Sequence, residues 1–180
     1  AISDSQSPGQ GASAPTITGT GIGDGAITIN WLPPVDTAEL PVTGYRVQKR
    51  VYDVNNGPDD NWITVSTASG NARSTTVPSL DNGTTYDLRV AAVTSFGAGA
   101  YDVAEQQTPA GPAAAPTGLI VNASSGAAQL QWTAPADDGG SAISGHRVQY
   151  RVLGTDAWSE TTYTSAVAAA SVTGLSNGQT

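Results

Sequence analysis

Residues 80–93 read LDNGTTYDLRVAAV, the stretch that decides the fold. Asn82 and Gly83 tolerate the positive φ angles of a tight turn. From Tyr86 onward apolar side chains occupy alternate positions, which is the period of a strand with one buried face. The predicted buried set is Tyr86, Leu88, Val90 and Ala92. We therefore predict a turn followed by a long strand at 85–95.

The chain repeats itself at an interval of about 100 residues, which is the size of a whole domain rather than of one solenoid unit. The residues that recur 101 positions later are Pro15, Trp31, Pro34, Gly44, Arg46, Val47, Gln48, Arg50 and Val51, which match Pro116, Trp132, Pro135, Gly145, Arg147, Val148, Gln149, Arg151 and Val152. The register then slips, so that Trp62 matches Trp158 and residues 80–85 match 175–180.

Short alternating runs bounded by turn residues cover both copies and predict an all-β protein. In the first copy we predict strands at 16–20, 26–31, 44–51, 62–65, 74–77, 85–95 and 102–107, with a hairpin loop at 96–99. In the second copy we predict strands at 119–122, 127–132, 145–152, 158–162 and 167–172. Strands of this length and spacing are typical of a β-sandwich.

Composition excludes several classes of protein. The 180 residues include 21 Gly and 11 Pro but no Cys, which excludes disulfides and thiolate metal sites. The net charge of −8, with Lys49 as the single lysine, makes binding to nucleic acid or anionic lipid unfavourable. Because no apolar run approaches the length of a membrane span, we expect no membrane insertion.

The repeated motifs resemble tandem fibronectin type III domains. The seven strands of such a domain, named A to G, correspond in chain order to the seven strands predicted above for the first copy. The resemblance rests on Ala-Pro at 14–15 and 115–116, on the paired tryptophans and strand-C motifs, and on residues 80–93, which are similar to the family's tyrosine corner. It implies two immunoglobulin-like β-sandwiches of bacterial or phage type, the second truncated after strand E. The structural signature residues that it implies are Trp31, Leu80, Tyr86, Trp132 and Leu175.

We divide the chain into four segments. Residues 1–14 are a linker or the remnant of an upstream domain's last strand, and 15–108 form a complete domain. Residues 109–115, rich in Pro and Ala, are a stiff linker, and 116–180 form a partial domain that lacks strands F and G. Strand F lies in the middle of its sheet, so we expect 116–180 to fold poorly alone. The absence of Met indicates that Ala1 is not a translation start. Because both ends of the chain fall inside predicted domains, we expect further domains of the same polypeptide on both sides.

No constellation of residues predicts catalysis. The single histidine, His146, aligns with Tyr45 and has no evident serine or carboxylate partner. The acidic stretch 53–60 lacks the order of an EF-hand, and 137–140 has the composition of a turn. We therefore predict no catalytic residue, no metal and no cofactor.

Phe96 and Gly97 form a possible recognition loop at the expected tip of the first domain. The resemblance implies that this loop can carry recognition, while local packing of Phe96 is the simpler alternative. Asn82 and Asn122 each begin a glycosylation sequon, and the turn at 82–83 explains the first.

The function that these features favour is non-catalytic. We expect spacer or interaction modules of a larger secreted or surface-exposed protein, which mediate adhesion or position other domains. The expected partner is a protein or carbohydrate surface, and the expected location is secreted, cell-surface or virion-exposed. A structural module of a phage virion (tail, fibre or capsid decoration) and accessory domains of an extracellular polysaccharide-degrading enzyme stay open. A eukaryotic receptor ectodomain is less favoured, because richness in Ala, Gly and Thr with more Arg than Lys is typical of a GC-rich bacterial or phage gene.

Overall fold

A computed structural model of the chain describes residues 11–53, 57–58 and 61–178. Throughout this described part the regular elements are β-strands, so the predicted all-β class is confirmed. The strands separate into two compact units, Ala1–Gly111 and Pro112–Thr180, here called the first and second unit.

The first unit contains two antiparallel sheets. Its strands are β1 (Thr16–Gly23), β2 (Ala26–Leu32), β3 (Gly44–Asp53), β4 (Gly57–Pro58), β5 (Ile63–Ser69), β6 (Ser74–Val77), β7 (Tyr86–Thr94) and β8 (Gly97–Gln107). One sheet has the order β1-β2-β6. In the other, β3 pairs with β5 and β4 on one side and with β7 on the other, and β8 follows β7.

The second unit contains two smaller antiparallel sheets. Its strands are β9 (Thr117–Ser124), β10 (Ala127–Thr133), β11 (His146–Tyr150), β12 (Ser159–Tyr163) and β13 (Ala169–Thr173). One sheet has the order β9-β10-β13 and the other pairs β11 with β12. Within residues 112–178, β11 is therefore paired along one edge, whereas β3 in the first unit is paired along both.

Several strands run further than predicted, and the hairpin loop predicted at 96–99 is wrong. Thr94 pairs with Gly97, so that only two residues turn the chain between β7 and β8. The physical reason is Gly97, whose φ of +105° is open to glycine and lets β8 begin directly after the turn. By contrast, β6 has the predicted bounds.

Alternate residues of β2 build the core of the first unit. Ile27, Ile29 and Trp31 are at most 1% exposed, and the Trp31 ring lies 5.1 Å from that of Tyr45 on β3. Val47, Leu88 and Val90 complete the centre of this core from the opposite sheet. Each fully buried aliphatic side chain stabilises the fold by about 1.5–3 kcal/mol, so that packing alone can hold a sandwich without cysteine.

The predicted signature residues lie in both cores. Trp31, Leu80 and Tyr86 are 1–5% exposed in the first unit. Trp132 and Leu175 are partly buried against the small apolar cluster of the second unit. The second core is therefore more open than the first within the described residues.

Both units have the same set of hydrogen bonds between the turn of their first hairpin and a later turn, and we call this set the clamp. The later turn follows β6 in the first unit and β13 in the second. In each unit a leucine N–H donates to a glycine carbonyl at 2.9 Å, and an asparagine Oδ1 accepts the N–H of that glycine at 2.8 Å. The residues are Gly25, Leu80 and Asn82 in the first unit and Gly126, Leu175 and Asn177 in the second. Asn82 also donates from Nδ2 to Asp24 Oδ1 at 2.7 Å, so the fold uses both ends of this sequon's amide.

The described ends of the two predicted linkers pack against the first sandwich. Ala12 is 2% exposed, and its carbonyl accepts the N–H of Ala100 at 3.0 Å. The carbonyl of Pro109 accepts the N–H of Gly83 at 2.9 Å. Residues 1–10 of the predicted upstream remnant lie outside the described residues.

Tyr86 joins the start of β7 to the turn before it. Its hydroxyl oxygen accepts the N–H of Asp81 at 3.1 Å, and its ring is 3% exposed. Lys49 Nζ lies 5.1 Å from the ring centroid and covers the ring from β3. The same hydroxyl donates to Asp81 Oδ2 at 3.4 Å, so it joins the turn to the strand as both acceptor and donor.

The substitution Tyr86→Phe removes this acceptor and leaves the ring in place. We expect the free energy of unfolding of the first unit to fall by about 1 kcal/mol, the usual net value of one hydrogen bond. Urea unfolding followed by hydrogen exchange of β7 peptides measures the change. The control is Tyr52→Phe, which removes a hydroxyl without a hydrogen-bond partner among the described residues, and an equal loss in both variants would contradict the assignment.

Ile29 and Leu130 occupy equivalent positions in the two cores. Ile29 is fully buried and Leu130 is partly buried, so the second core is more open at this position. We expect Ile29→Ala to lower the free energy of unfolding of the first unit by about 2–5 kcal/mol. Leu130→Ala should cost the second unit less than half as much, because little packing is lost at an open site. The same urea and hydrogen-exchange measurements, resolved by unit, compare the two, and equal losses would show that the second core is closed.

Candidate interaction surfaces

The outer face of the sheet around β3 and β7 carries a stack of cations and aromatic rings. Arg89 Cζ lies 4.0 Å from the centroid of the Trp62 ring and 4.1 Å from that of Tyr101. Arg50 Cζ lies 4.4 Å from the Trp62 ring. Contacts of this kind stabilise by about 0.5–1 kcal/mol at exposed sites and more where water is excluded. We call the surface formed by Arg46, Gln48, Arg50, Trp62, Arg89 and Tyr101 the cationic face.

Strand alternation and register bring these side chains together. Because Tyr45 and Val47 point into the core, Arg46, Gln48 and Arg50 on β3 point outward. Gln48 lies directly opposite Arg89 on β7, and Gln48 Oε1 accepts the Nε–H of Arg89 at 2.8 Å. Cross-strand pairing therefore sets the position of the Arg89 guanidinium.

Arg50 is fully engaged with Asp87, which is 2% exposed. Asp87 Oδ2 accepts from both Nε and Nη2 of Arg50 at 2.9 Å. Asp87 Oδ1 accepts the N–H of Gln106 at 2.9 Å, at a bulge of β8 where Gln106 has a φ of +53°. Loss of one partner from such a buried pair costs about 3–5 kcal/mol, so this carboxylate has a structural use.

Arg89 keeps its charge in this setting. Burial lowers the pKa of its guanidinium, Tyr101 acts to raise it, and Arg50 lowers it. An arginine pKa lies so far above neutrality that the side chain is cationic at pH 7. The stack therefore presents a fixed positive charge between two rings.

The second unit carries a shorter form of the same arrangement. Arg151 Cζ lies 4.7 Å from the centroid of the Trp158 ring. Glu160 Oε2 accepts from Gln149 Nε2 at 2.9 Å and lies 3.7 Å from Arg147 Nε. The second unit thus holds a carboxylate of its own beside its strand-C arginine.

A cavity of about 600 Å³ opens in the second unit beside Trp132 and His146. The two rings meet edge to face with centroids 4.9 Å apart, and His146 Nε2 lies 3.4 Å from the carbonyl oxygen of Ala166. The residues that line this cavity, all in the described part of the chain, include no carboxylate, serine or cysteine. Nothing there supplies the partner that a catalytic histidine needs.

The predicted recognition loop lies at the tip of the β7–β8 hairpin. The Phe96 side chain is 77% exposed, and its N–H donates to Thr94 Oγ1 at 3.3 Å. Gly97 is the first residue of β8. Recognition by Phe96 and Gly97 stays a prediction, and a single exposed ring is common on protein surfaces.

The acidic turn of the second unit is held by its own side chains. Asp137 Oδ1 accepts the N–H of Gly139 at 2.8 Å, and Asp138 Oδ1 accepts that of Gly140 at 2.9 Å. In the other acidic stretch, 54–56 and 59–60 lie outside the described residues. A search of the residues that the structure describes finds no group of three His, Cys, Asp or Glu side chains arranged for a metal ion. The same residues contain no helix of the length and hydropathy needed to span a membrane.

The cationic face was not predicted from the sequence. Its local signal is the alternation of Arg46, Gln48 and Arg50 on the polar side of β3. The arginine and the tyrosine that complete the stack come from strands about 40 and 50 residues later, so cross-strand register is required to bring them together.

The sequence is similar to a known domain family and to several known proteins. A model of the fibronectin type III domain matches residues 13–107 and 114–180. Cardiac-type myosin-binding protein C of Homo sapiens is 28% identical over 139 residues, which cover 76% of this chain and 10% of that protein. A titin homolog of Caenorhabditis elegans is 30% identical over 127 residues, which cover 68% of this chain and 1% of that protein. The chain thus spans a tenth or less of these curated relatives.

Solved structures give weaker likenesses. The chicken CNTN1 FN1-FN3 domains have a TM-score of 0.47 and 20% identity, covering 89% of this chain and 55% of that one. A two-domain fibronectin type III segment from chicken tenascin has a TM-score of 0.44 and 16% identity, covering 93% and 86%.

A double-mutant cycle between Trp62→Leu and Arg89→Met tests the cation–aromatic contact. We expect a coupling free energy of about 0.5–2 kcal/mol, because each single variant removes the same interaction. Urea unfolding of the four proteins gives this value. A second cycle with Arg46→Met serves as the control, since none of the described ring–cation contacts involves Arg46, and equal coupling in both cycles would refute the stack.

Proposed function

The chain belongs to the fibronectin type III domain family, and on that premise we propose that its sandwiches are non-catalytic spacer and interaction modules of a larger protein. In this role they position other domains of the polypeptide and present surfaces to a protein partner. The sequence-based recognition of the family is confirmed, while its bacterial or phage type stays a prediction.

One observation carries the non-catalytic part of the proposal. Asp87 is the one buried carboxylate among the described residues, and both of its oxygens are used by Arg50 and Gln106. A general acid or base must instead have its proton free to reach a substrate. The polar group that is best sheltered from water therefore holds the sheet together.

The interaction part of the proposal is supported by what the first unit exposes. The cationic face and the Phe96 tip project from a rigid, closed sandwich, which is the usual support for a binding surface. One relative is named for binding myosin, which favours a protein as the class of partner for this chain.

A secreted, cell-surface or virion-exposed location is part of the same proposal. A core without cysteine has the same stability in oxidising and reducing compartments, so it is compatible with this location and does not select it. Assembly state separates the two leading roles, since a monomer in sedimentation favours a spacer and a symmetric oligomer favours a virion module.

Force spectroscopy on the full chain, pulled from its two ends, tests the spacer role. We expect the first unit to unfold in one step that releases about 300 Å of contour length, because 95 or so residues change from folded to extended chain. Ile29→Ala should lower the unfolding force and leave the released length unchanged. Extension without a force peak would contradict a load-bearing spacer.

A further inference from the structure

In the part of the chain that the structure describes, the cationic face has three arginines and one carboxylate paired with them, Asp87. Arg50 is paired with Asp87. Among the described residues, the salt bridges involve neither Arg46 nor Arg89. Two arginines of this face, in a chain whose net charge is −8, are therefore without a salt-bridge partner among the described residues.

In the second unit a carboxylate, Glu160, lies beside Arg147, the counterpart of Arg46. There Gln149 Nε2 donates to Glu160 Oε2 at 2.9 Å, and the two residues are paired across β11 and β12. In the first unit Gln48 Nε2 donates to Thr64 Oγ1 at 3.0 Å, and these residues are paired across β3 and β5. Thr64 thus stands where the second unit has a carboxylate that also approaches Arg147.

The spacing of the unmatched arginines matches an extended chain. Arg46 lies opposite Ala91, and Arg89 precedes Ala91 by two residues on the same face of β7. Diagonal neighbours of this kind are about 7–8 Å apart. Alternate side chains of an extended segment are about 6.6 Å apart and point to one side. Two carboxylates at positions i and i+2 of a strand can therefore face both arginines.

We propose that the cationic face binds an extended acidic protein segment, with alternate Asp or Glu side chains facing Arg46 and Arg89. In the second unit Glu160 occupies the corresponding place and closes it to such a partner. The proposal rests on the interaction role described above and specifies its partner. The aromatic walls beside Arg89 hold its guanidinium in place, which favours paired hydrogen bonds to a carboxylate.

A protein segment suits this face better than an anionic polysaccharide. Polyanions bind through many cations at once, and here the described salt bridges leave only Arg46 and Arg89 for an outside anion. The remaining acidic surface of the chain would repel a long polyanion and restrict a short acidic segment to this site.

Fluorescence anisotropy with the full chain tests the proposal. The probe is a fluorescein-labelled eight-residue peptide in which Glu and Thr alternate, and the control peptide has Gln in place of Glu. We expect saturable binding of the Glu peptide at low salt, weaker binding as salt screens the charges, and none of the Gln peptide.

Variants locate the site. Thr64→Glu introduces the counterpart of Glu160 and should weaken peptide binding about tenfold or more, because an internal carboxylate then competes for Arg46. Thr64→Gln is the matched neutral control and should bind as the unaltered chain does. Arg46→Gln should also weaken binding about tenfold, whereas Arg151→Gln, in the second unit, should not.

Three results would overturn the proposal: no binding of the Glu peptide, equal binding by Thr64→Glu and Thr64→Gln, or tighter binding of a sulfated heparin hexasaccharide than of the peptide. The force-spectroscopy peak of the first unit checks that each variant is folded. A retained peak without peptide binding removes this inference and leaves the spacer role standing.

Discussion

Eight residue pairs between β3 and β7, from Gly44 with Val93 to Val51 with Tyr86, hold the first sandwich closed. On the inner side this pairing covers the Trp31–Tyr45 contact with the buried face of β7. On the outer side the same register sets Gln48 against Arg89 and so builds the cationic face. Core and surface therefore depend on one ladder of backbone hydrogen bonds. In the second unit the equivalent edge of β11 is unpaired within the described residues, and a cavity lies beside Trp132.

Local sequence was sufficient to predict those elements whose conformation depends on residues near one another in the chain. The alternation in β2 places Ile27, Ile29 and Trp31 in the core, and the turn at Asn82 precedes β7. The start of β8 could not be predicted in this way, since it depends on a backbone angle at Gly97. The stack of Arg89 between Trp62 and Tyr101 was missed because its members become neighbours only after three strands are aligned.

The two units carry different outer faces on the same scaffold. The clamps of the two units have the same hydrogen-bond lengths. In each unit a ring also packs against the core tryptophan, Tyr45 against Trp31 and His146 against Trp132. Their outer faces differ at the position of Thr64 and Glu160, where side chains meet solvent and packing imposes little. A change of charge there alters what the surface can bind, while the core residues beneath it keep their contacts.

The clamp at Asn82 has a consequence for covalent modification. Its amide nitrogen donates to Asp24 and its oxygen accepts from Gly25, so both atoms are occupied once the hairpin and the turn have met. A glycan on this nitrogen would occupy the position from which it donates to Asp24, so modification and the closed clamp compete. Sugar at Asn82 would then weaken the link between the first hairpin and the turn before β7, at the end of the sandwich where the clamp lies.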